Sequence, residues 1–266
     1  MADPFLEVAV DAARRAGALL LDRFGSLRQI RYKGSPSNLV TEMDREAEAL
    51  IVDCIRSRFP DHAILAEEGG AQPGAASHRW IVDPLDGTTK YAHGMPIFAV
   101  SIALEVEGSV EVGVVFDPSR DECFTAIRGG GALLNGHPLR VSETPTLDLS
   151  LLSTGYPYEI RKTRENNLAE HAAFMVRCRS VREMGSAAIN LALVAAGRLD
   201  AFWELTLGPW DVAAGCLMVE EAGGRVTNPA GGPLDLDAPS VVASNGRIHG
   251  EMLDTLRAAR SQLPSW

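Results

Sequence analysis

This 266-residue chain predicts an α+β first half that runs into an α/β second half, and three patterns carry that prediction. Before residue 60, two stretches place apolar residues at helical spacing. Three strand-like runs joined by short turns come next. Beyond residue 146, strand-like and helix-like segments alternate, as expected for helices layered on a mixed sheet.

The first helix is expected over 5–24, where Phe5, Val8, Ala9, Ala12, Ala16, Leu19, Leu20 and Phe24 recur on one face. A Gly-, Ser- and Pro-containing loop follows at 33–38. A second helix is expected over 41–59, with Ala47, Leu50, Ile51, Cys54 and Ile55 on one face and Pro60 closing it. Residues 63–66 read as a short strand that delivers Glu67 and Glu68 to its end. Residues 69–77, rich in Gly and Ala, read as a mobile loop. The runs 98–106, 110–116 and 122–127 form a meander, with Gly108 and Asp117-Pro118 supplying its turns. A Thr-Pro-Thr break near 141–146 suggests a boundary, dividing the chain into 1–143 and 144–266. In the second part, strands are expected at 149–154 and 199–203, and helices at 165–177, 186–196 and 209–221. Gly129-Gly130-Gly131 lacks nucleotide-loop spacing and reads as a turn or bulge.

Composition narrows the function. An apolar content of 46% places the chain among globular proteins. Its net charge of −10 argues against a nucleic-acid surface. No apolar run approaches the ~20 residues that span a bilayer. Asp3, Glu7 and Asp11 interrupt the amino terminus, so it is not a signal peptide. Cys54, Cys123, Cys178 and Cys216 are scattered, and reduced thiols in a cytoplasmic protein are the simpler reading. There is no phosphate-binding Gly-x-x-x-x-Gly-Lys loop, no Gly-x-Ser-x-Gly elbow and no zinc-type histidine spacing.

The segment Trp80-Ile-Val-Asp-Pro-Leu-Asp-Gly-Thr-Thr89 carries the most chemistry. An apolar run ends at Asp83 and Asp86, and ionised carboxylates this close repel unless a cation lies between them. Mg²⁺ takes oxygen ligands of this kind. Gly87 leaves room beside the backbone, and Thr88 and Thr89 offer donors. Glu67, Asp83, Asp86 and Asp211 all stand at expected element ends. Taken singly, each is better explained by capping than by metal binding: Asp211 follows Pro209 at a helix start, and Asp86 precedes a glycine. Asp44, three residues after Thr41, fits either a capping box or a catalytic role. Glu204, after Ala201-Phe202-Trp203, is either an edge residue or an acceptor for substrate hydroxyls.

At these residues the chain closely resembles the inositol monophosphatase family of magnesium-dependent, lithium-sensitive sugar phosphatases. The resemblance runs through Lys33 before Ser35-Pro36, Val40-Thr41-x-x-Asp44, Ala66-Glu67-Glu68 and the segment 80–89. It continues through Gly185-Ser186-Ala187-Ala188, Glu204, Trp210-Asp-x-Ala-Ala-Gly215 and Glu221-Ala-Gly-Gly224. It implies a layered αβαβα sandwich, a homodimer, and two or three Mg²⁺ ions. By resemblance, Glu67, Asp83 and the Leu85 carbonyl hold one ion, and Asp83, Asp86 and Asp211 hold a second. Gly87 and Thr88 receive phosphate at a helix start. Glu67 and Thr88, supported by Asp44, orient an attacking water. Leu85, Asp86 and Asp211 also border the substrate, and Gly185, Ser186, Ala187 and Glu204 contact its polyol.

The implied reaction is hydrolysis of a phosphate monoester, most closely myo-inositol 1-phosphate. The same scaffold also serves fructose 1,6-bisphosphate, histidinol phosphate and 3′-phosphoadenosine 5′-phosphate, and no aromatic pair or basic cluster argues for a nucleotide. An aspartyl-phosphate mechanism would want Asp-x-Asp, whereas this chain has Asp83-Pro-Leu-Asp86. A non-catalytic binding protein on the same fold would be favoured by loss of a ligand carboxylate, and all four are present. Lys90 departs from the family, whose members commonly carry Asn there. Its ammonium either offsets the acidic cluster or extends to solvent.

Overall fold

The computed structural model describes residues 3–26, 30–32 and 39–261. The expected loop at 33–38, with Lys33, lies outside them.

Helix α1 (Pro4–Arg23) starts where sequence and caps agree. Asp3 accepts from the amides of Phe5 and Leu6, and Pro4 occupies the first turn. Strands β1 (Ile30–Tyr32) and β2 (Leu39–Thr41) pair antiparallel and lead into α2 (Glu42–Arg58). The main sheet follows: β3 (His62–Ala66), β4 (Gly70–Gln72), β5 (Ala75–Asp86), β6 (Ala99–Val106), β7 (Ser109–Asp117), β8 (Glu122–Ile127), β9 (Gly131–Leu134) and β10 (His137–Pro138). A short helix, α3 (Thr88–Ala92), interrupts it after β5. The strand order is β10-β9-β8-β7-β6-β5-β3-β4, and every pairing is antiparallel except β3 with β5.

The second part holds β11 (Leu151–Thr154), α4 (Leu168–Met175), β12 (Ser180–Glu183), α5 (Ala187–Ala195), β13 (Ala201–Glu204), α6 (Pro209–Glu221), β14 (Arg225–Thr227), β15 (Val241–Ser244) and α7 (His249–Ser261). Its sheet, ordered β12-β11-β13-β15-β14, is mixed: β11 runs parallel to both neighbours, while β15 is antiparallel to β13 and β14.

Burial shows how these elements stack. Ala9, Leu20 and Ile55 of α1 and α2 pack with Trp80, Val82 and Val114 from one face of the main sheet. Ile81, Ala103 and Val115 from its other face share a core with Leu191, Leu217 and Met218 of α5 and α6, and with Phe202 and Val241 of the second sheet. Phe174 of α4 and Met252 and Leu256 of α7 cover that sheet's far face beside Trp203. The result is five layers, αβαβα, with α5 and α6 buried between the sheets. Alternating side chains on β5 and β7 serve both faces of a fully covered sheet.

Several expected bounds moved. The stretch 69–77 is not a free loop: Gly70, at φ +67°, turns the chain back so that β4 pairs with β3, and β5 begins at Ala75. The helix expected at 165–177 begins only at Leu168, because Asn167 holds a left-handed φ of 65°. The strand expected at 199–203 shifts to Ala201–Glu204, since Gly197 to Leu199 turn back onto Leu193 and Val194.

Candidate active site

Asp83 and Asp86 lie three apart on one strand, so regular alternation would send them to opposite faces. A register shift between them in the β5–β6 ladder removes that alternation, in a segment where Pro84 has no amide to donate. The bulge turns both carboxylates toward the start of α6. There Asp211 caps the helix by accepting from the Gly208 amide at 2.6 Å. The carboxylates of Asp83, Asp86 and Asp211 come within 4.8 Å of one another. Glu67 extends β3 by donating its amide to the Val82 carbonyl, and its carboxylate lines the same cavity.

The electrostatics follow from this geometry. Loss of hydration raises the Asp83 carboxyl well above its ordinary value, and Glu67, Asp86 and Asp211 push it further. Asp211 is raised by the same burial and then by Asp86 and Glu67. Burial takes Asp86 up to about 6, against hydrogen bonds from Ser186 and the start of α5 that hold it down. Like charges accumulate here with hard oxygen donors only. That donor set suits Mg²⁺ and would not favour a soft metal.

Asp44, the residue with two readings, is occupied twice. One oxygen accepts from the Thr41 amide and hydroxyl, each at 2.7 Å, to complete a capping box on α2. The other accepts from the Thr88 hydroxyl at 2.9 Å. Thr88 lies equally close to the Leu85 carbonyl, at 3.0 Å, but has a single proton to give. A carboxylate is the stronger acceptor. Donating to Asp44 leaves Thr88 Oγ an acceptor at the first residue of α3. Gly87, at φ +96°, makes the turn before it, where a Cβ would stand 2.7 Å from the Ile97 carbonyl oxygen.

The cavity holds about 570 Å³, within the usual range for small-molecule sites. Glu204, the last residue of β13, is buried there. Its carboxyl is raised first by burial, then by Asp211, Asp86 and Glu183. Gly185, Ser186 and Ala187 also line it. The Ser186 hydroxyl is already engaged: it donates to Asp86 at 2.7 Å and caps α5 by accepting from Ile189. Lys90 lines the same cavity as the acids and pairs with Glu183 at 3.1 Å.

Glu183, Asn190, Tyr156 and Tyr158 also line the cavity and were not anticipated. Asn190 Oδ1 is buried with no hydrogen-bond partner among the described residues, an acceptor suited to a ligand donor. Tyr156 hydrogen-bonds His171 of α4. Gly155-Tyr-Pro-Tyr158 directly after a strand was the available signal, as was an acid two residues before Gly185.

The model of the inositol monophosphatase family matches residues 1–263. An inositol-1-monophosphatase from Synechocystis is 47% identical over 98% of this chain and 90% of that protein. A Nus factor SuhB from Escherichia coli K12 is 43% identical over 96% of each. The solved inositol monophosphatase of Anabaena (Nostoc) superposes with a TM-score of 0.87 at 42% identity, over 98% of this chain and 96% of that one.

Proposed function

This chain belongs to the inositol monophosphatase family and is a phosphoric monoester hydrolase, and from that premise we propose that it is Mg²⁺-dependent and acts on a small polyol phosphate, foremost myo-inositol 1-phosphate. The observation that carries the reading is the convergence of Asp83, Asp86 and Asp211 within 4.8 Å, with Asp86 and Asp211 lining a cavity that Gly87 and Thr88 also border.

Glu67, Asp83, Asp86, Asp211 and the Leu85 carbonyl would hold two or three Mg²⁺ ions. Bound there, the ions would supply Lewis-acid chemistry: neutralised phosphate oxygens, a more acidic water and a stabilised leaving alkoxide. The chain's own groups do the rest. Thr88 Oγ, committed to Asp44 as donor, accepts a hydrogen bond from the attacking water and aligns it with Glu67. Asp44 Oδ1, its carboxyl raised by burial, holds the proton that passes through Thr88. The amides at the start of α3 meet the phosphate oxygens. Water attacks in line and no phospho-enzyme forms. Glu204 and the turn at Gly185 to Ala187 accept and orient the polyol hydroxyls. On this reading the enzyme is a lithium-sensitive cytoplasmic homodimer.

Phosphate release from purified protein tests it, with Mg²⁺ and Li⁺ titrated over a panel of inositol, sugar, histidinol and nucleotide phosphates. The expected result is Mg²⁺-dependent, Li⁺-inhibited turnover that is highest on the inositol ester. Dominant activity on histidinol phosphate or a nucleotide would overturn the substrate, and turnover in a chelator would overturn the metal.

A further inference from the structure

Lys90 is the single cationic side chain among the described residues that line the cavity, where Glu67, Asp86, Glu183, Glu204 and Asp211 supply the acids. It stands on α3, two residues past Thr88. Glu183 is the last residue of β12, so their 3.1 Å ion pair joins α3 to the second sheet at the cavity wall. The pair is held in place. Gly185, at φ +78°, leaves space that the Lys90 stem fills, and a Cβ there would collide with Lys90 Cε. The Lys90 side chain is 20% exposed and that of Glu183 is 41% exposed, so both remain open to a ligand.

We propose that the Lys90–Glu183 pair determines specificity for the leaving group: it admits an uncharged polyhydroxyl group and turns away one that carries a second phosphate or carboxylate. The inference rests on the phosphatase reading of this site. While Lys90 is paired, the wall presents carboxylate acceptors, which take hydroxyl donors from a polyol. A second anion meets Glu204 and Glu183 at short range, and the one cation among the described residues lining the cavity is already neutralised. Discrimination here works by repulsion as much as by attraction. Lys90 is thus a latent anion site, and Glu183 keeps it closed.

The test compares kcat/KM for myo-inositol 1-phosphate and fructose 1,6-bisphosphate at saturating Mg²⁺ in the wild type, Glu183→Gln, Lys90→Gln and the double variant. Glu183→Gln is expected to raise the bisphosphate-to-monophosphate ratio about tenfold, mainly through the KM of the bisphosphate. Lys90→Gln, which leaves Glu183 unneutralised, should lower the ratio about fivefold, and the double variant should return it close to the wild-type value. Should Glu183→Gln fail to fold by circular dichroism, Glu183→Ser gives the same reading. A ratio that stays within about twofold in both single variants, or moves the opposite way, overturns the proposal while leaving the phosphatase reading intact. A wild type inactive on every phosphate monoester sinks both.

Discussion

Asp200, just before β13, and Asp211, in the first turn of α6, are near neighbours in sequence, yet their carboxylates meet opposite company. Asp200 accepts from the Ser142 hydroxyl at 2.5 Å on one oxygen and from the Leu151 amide at 2.6 Å on the other. Asp211 spends one oxygen on the Gly208 amide, and its carboxylate otherwise approaches those of Asp83 and Asp86. Other buried acids follow Asp200: Asp117 is met by Arg120, and Glu170 by Arg260. These buried acids meet donors, whereas at the site Asp83, Asp86 and Asp211, each with a donor of its own, are also gathered against one another. Repulsion retained at one place, in a fold that removes it elsewhere, is the physical mark of a site whose counter-charge comes from outside.

Substituting the two aspartates tests that contrast most strongly. Asp211→Asn keeps an oxygen for the Gly208 amide but removes one charge from the cluster. Turnover should fall by about a thousandfold or more, the scale of losing an electrostatic group aimed at the reacting centre. In chelator, thermal stability should rise by about 2–4 °C, because a like charge has gone. An active or markedly less stable Asp211→Asn would place it with the structural acids. Asp200→Ala should do the reverse. It strands the Leu151 amide and the Ser142 hydroxyl, costing about 3 kcal/mol in urea unfolding, with turnover per folded molecule unchanged. Loss of turnover without loss of stability would erase the distinction.

The same contrast explains what the sequence revealed. Helices α1 and α2 were legible because their apolar spacing and their caps at Asp3 and Thr41 point to the same ends. The meander of β6 to β8 was legible for a similar reason, with turn residues bracketing each run. Strands β12, β14 and β15 went unread: each has only three or four residues, and partners distant in the chain define them. Helix α3, at five residues, is too short for periodicity to show. In the cavity, Glu67, Asp86, Glu204 and Asp211 were legible as charges at the ends of expected elements. Glu183 and Asn190 were not, because their meaning depends on what stands across the cavity. Lys90 was noticed as a departure, but only the second sheet supplies its partner.

The smallest expected effect sets the cavity against a buried group that has its partners. His249 is fully buried, with Ser244 on one ring nitrogen at 2.8 Å and Thr227 on the other at 2.9 Å. Burial, and then the charge of Arg225, push its pKa down to about 4. The folded state therefore binds this proton less readily than the unfolded chain does. The stability from a neutral His249 is complete above the unfolded value near 6.5 and is lost as pH falls toward 4. Between pH 7 and pH 5 the loss amounts to about 2 kcal/mol. Asp86 runs the other way. Its folded pKa of about 6 exceeds the unfolded 3.8, so in metal-free protein acidification over the same window stabilises by about 1 kcal/mol. Asp83, Asp211 and Glu204, also raised, add to the slope that opposes His249, so the wild-type profile alone does not isolate it and the variant does. His249→Gln, unfolded in urea at both pH values in chelator, should be less stable than wild type at pH 7 and recover about 2 kcal/mol of that deficit at pH 5. A deficit that is the same at both values would mean that His249 does not titrate in this window.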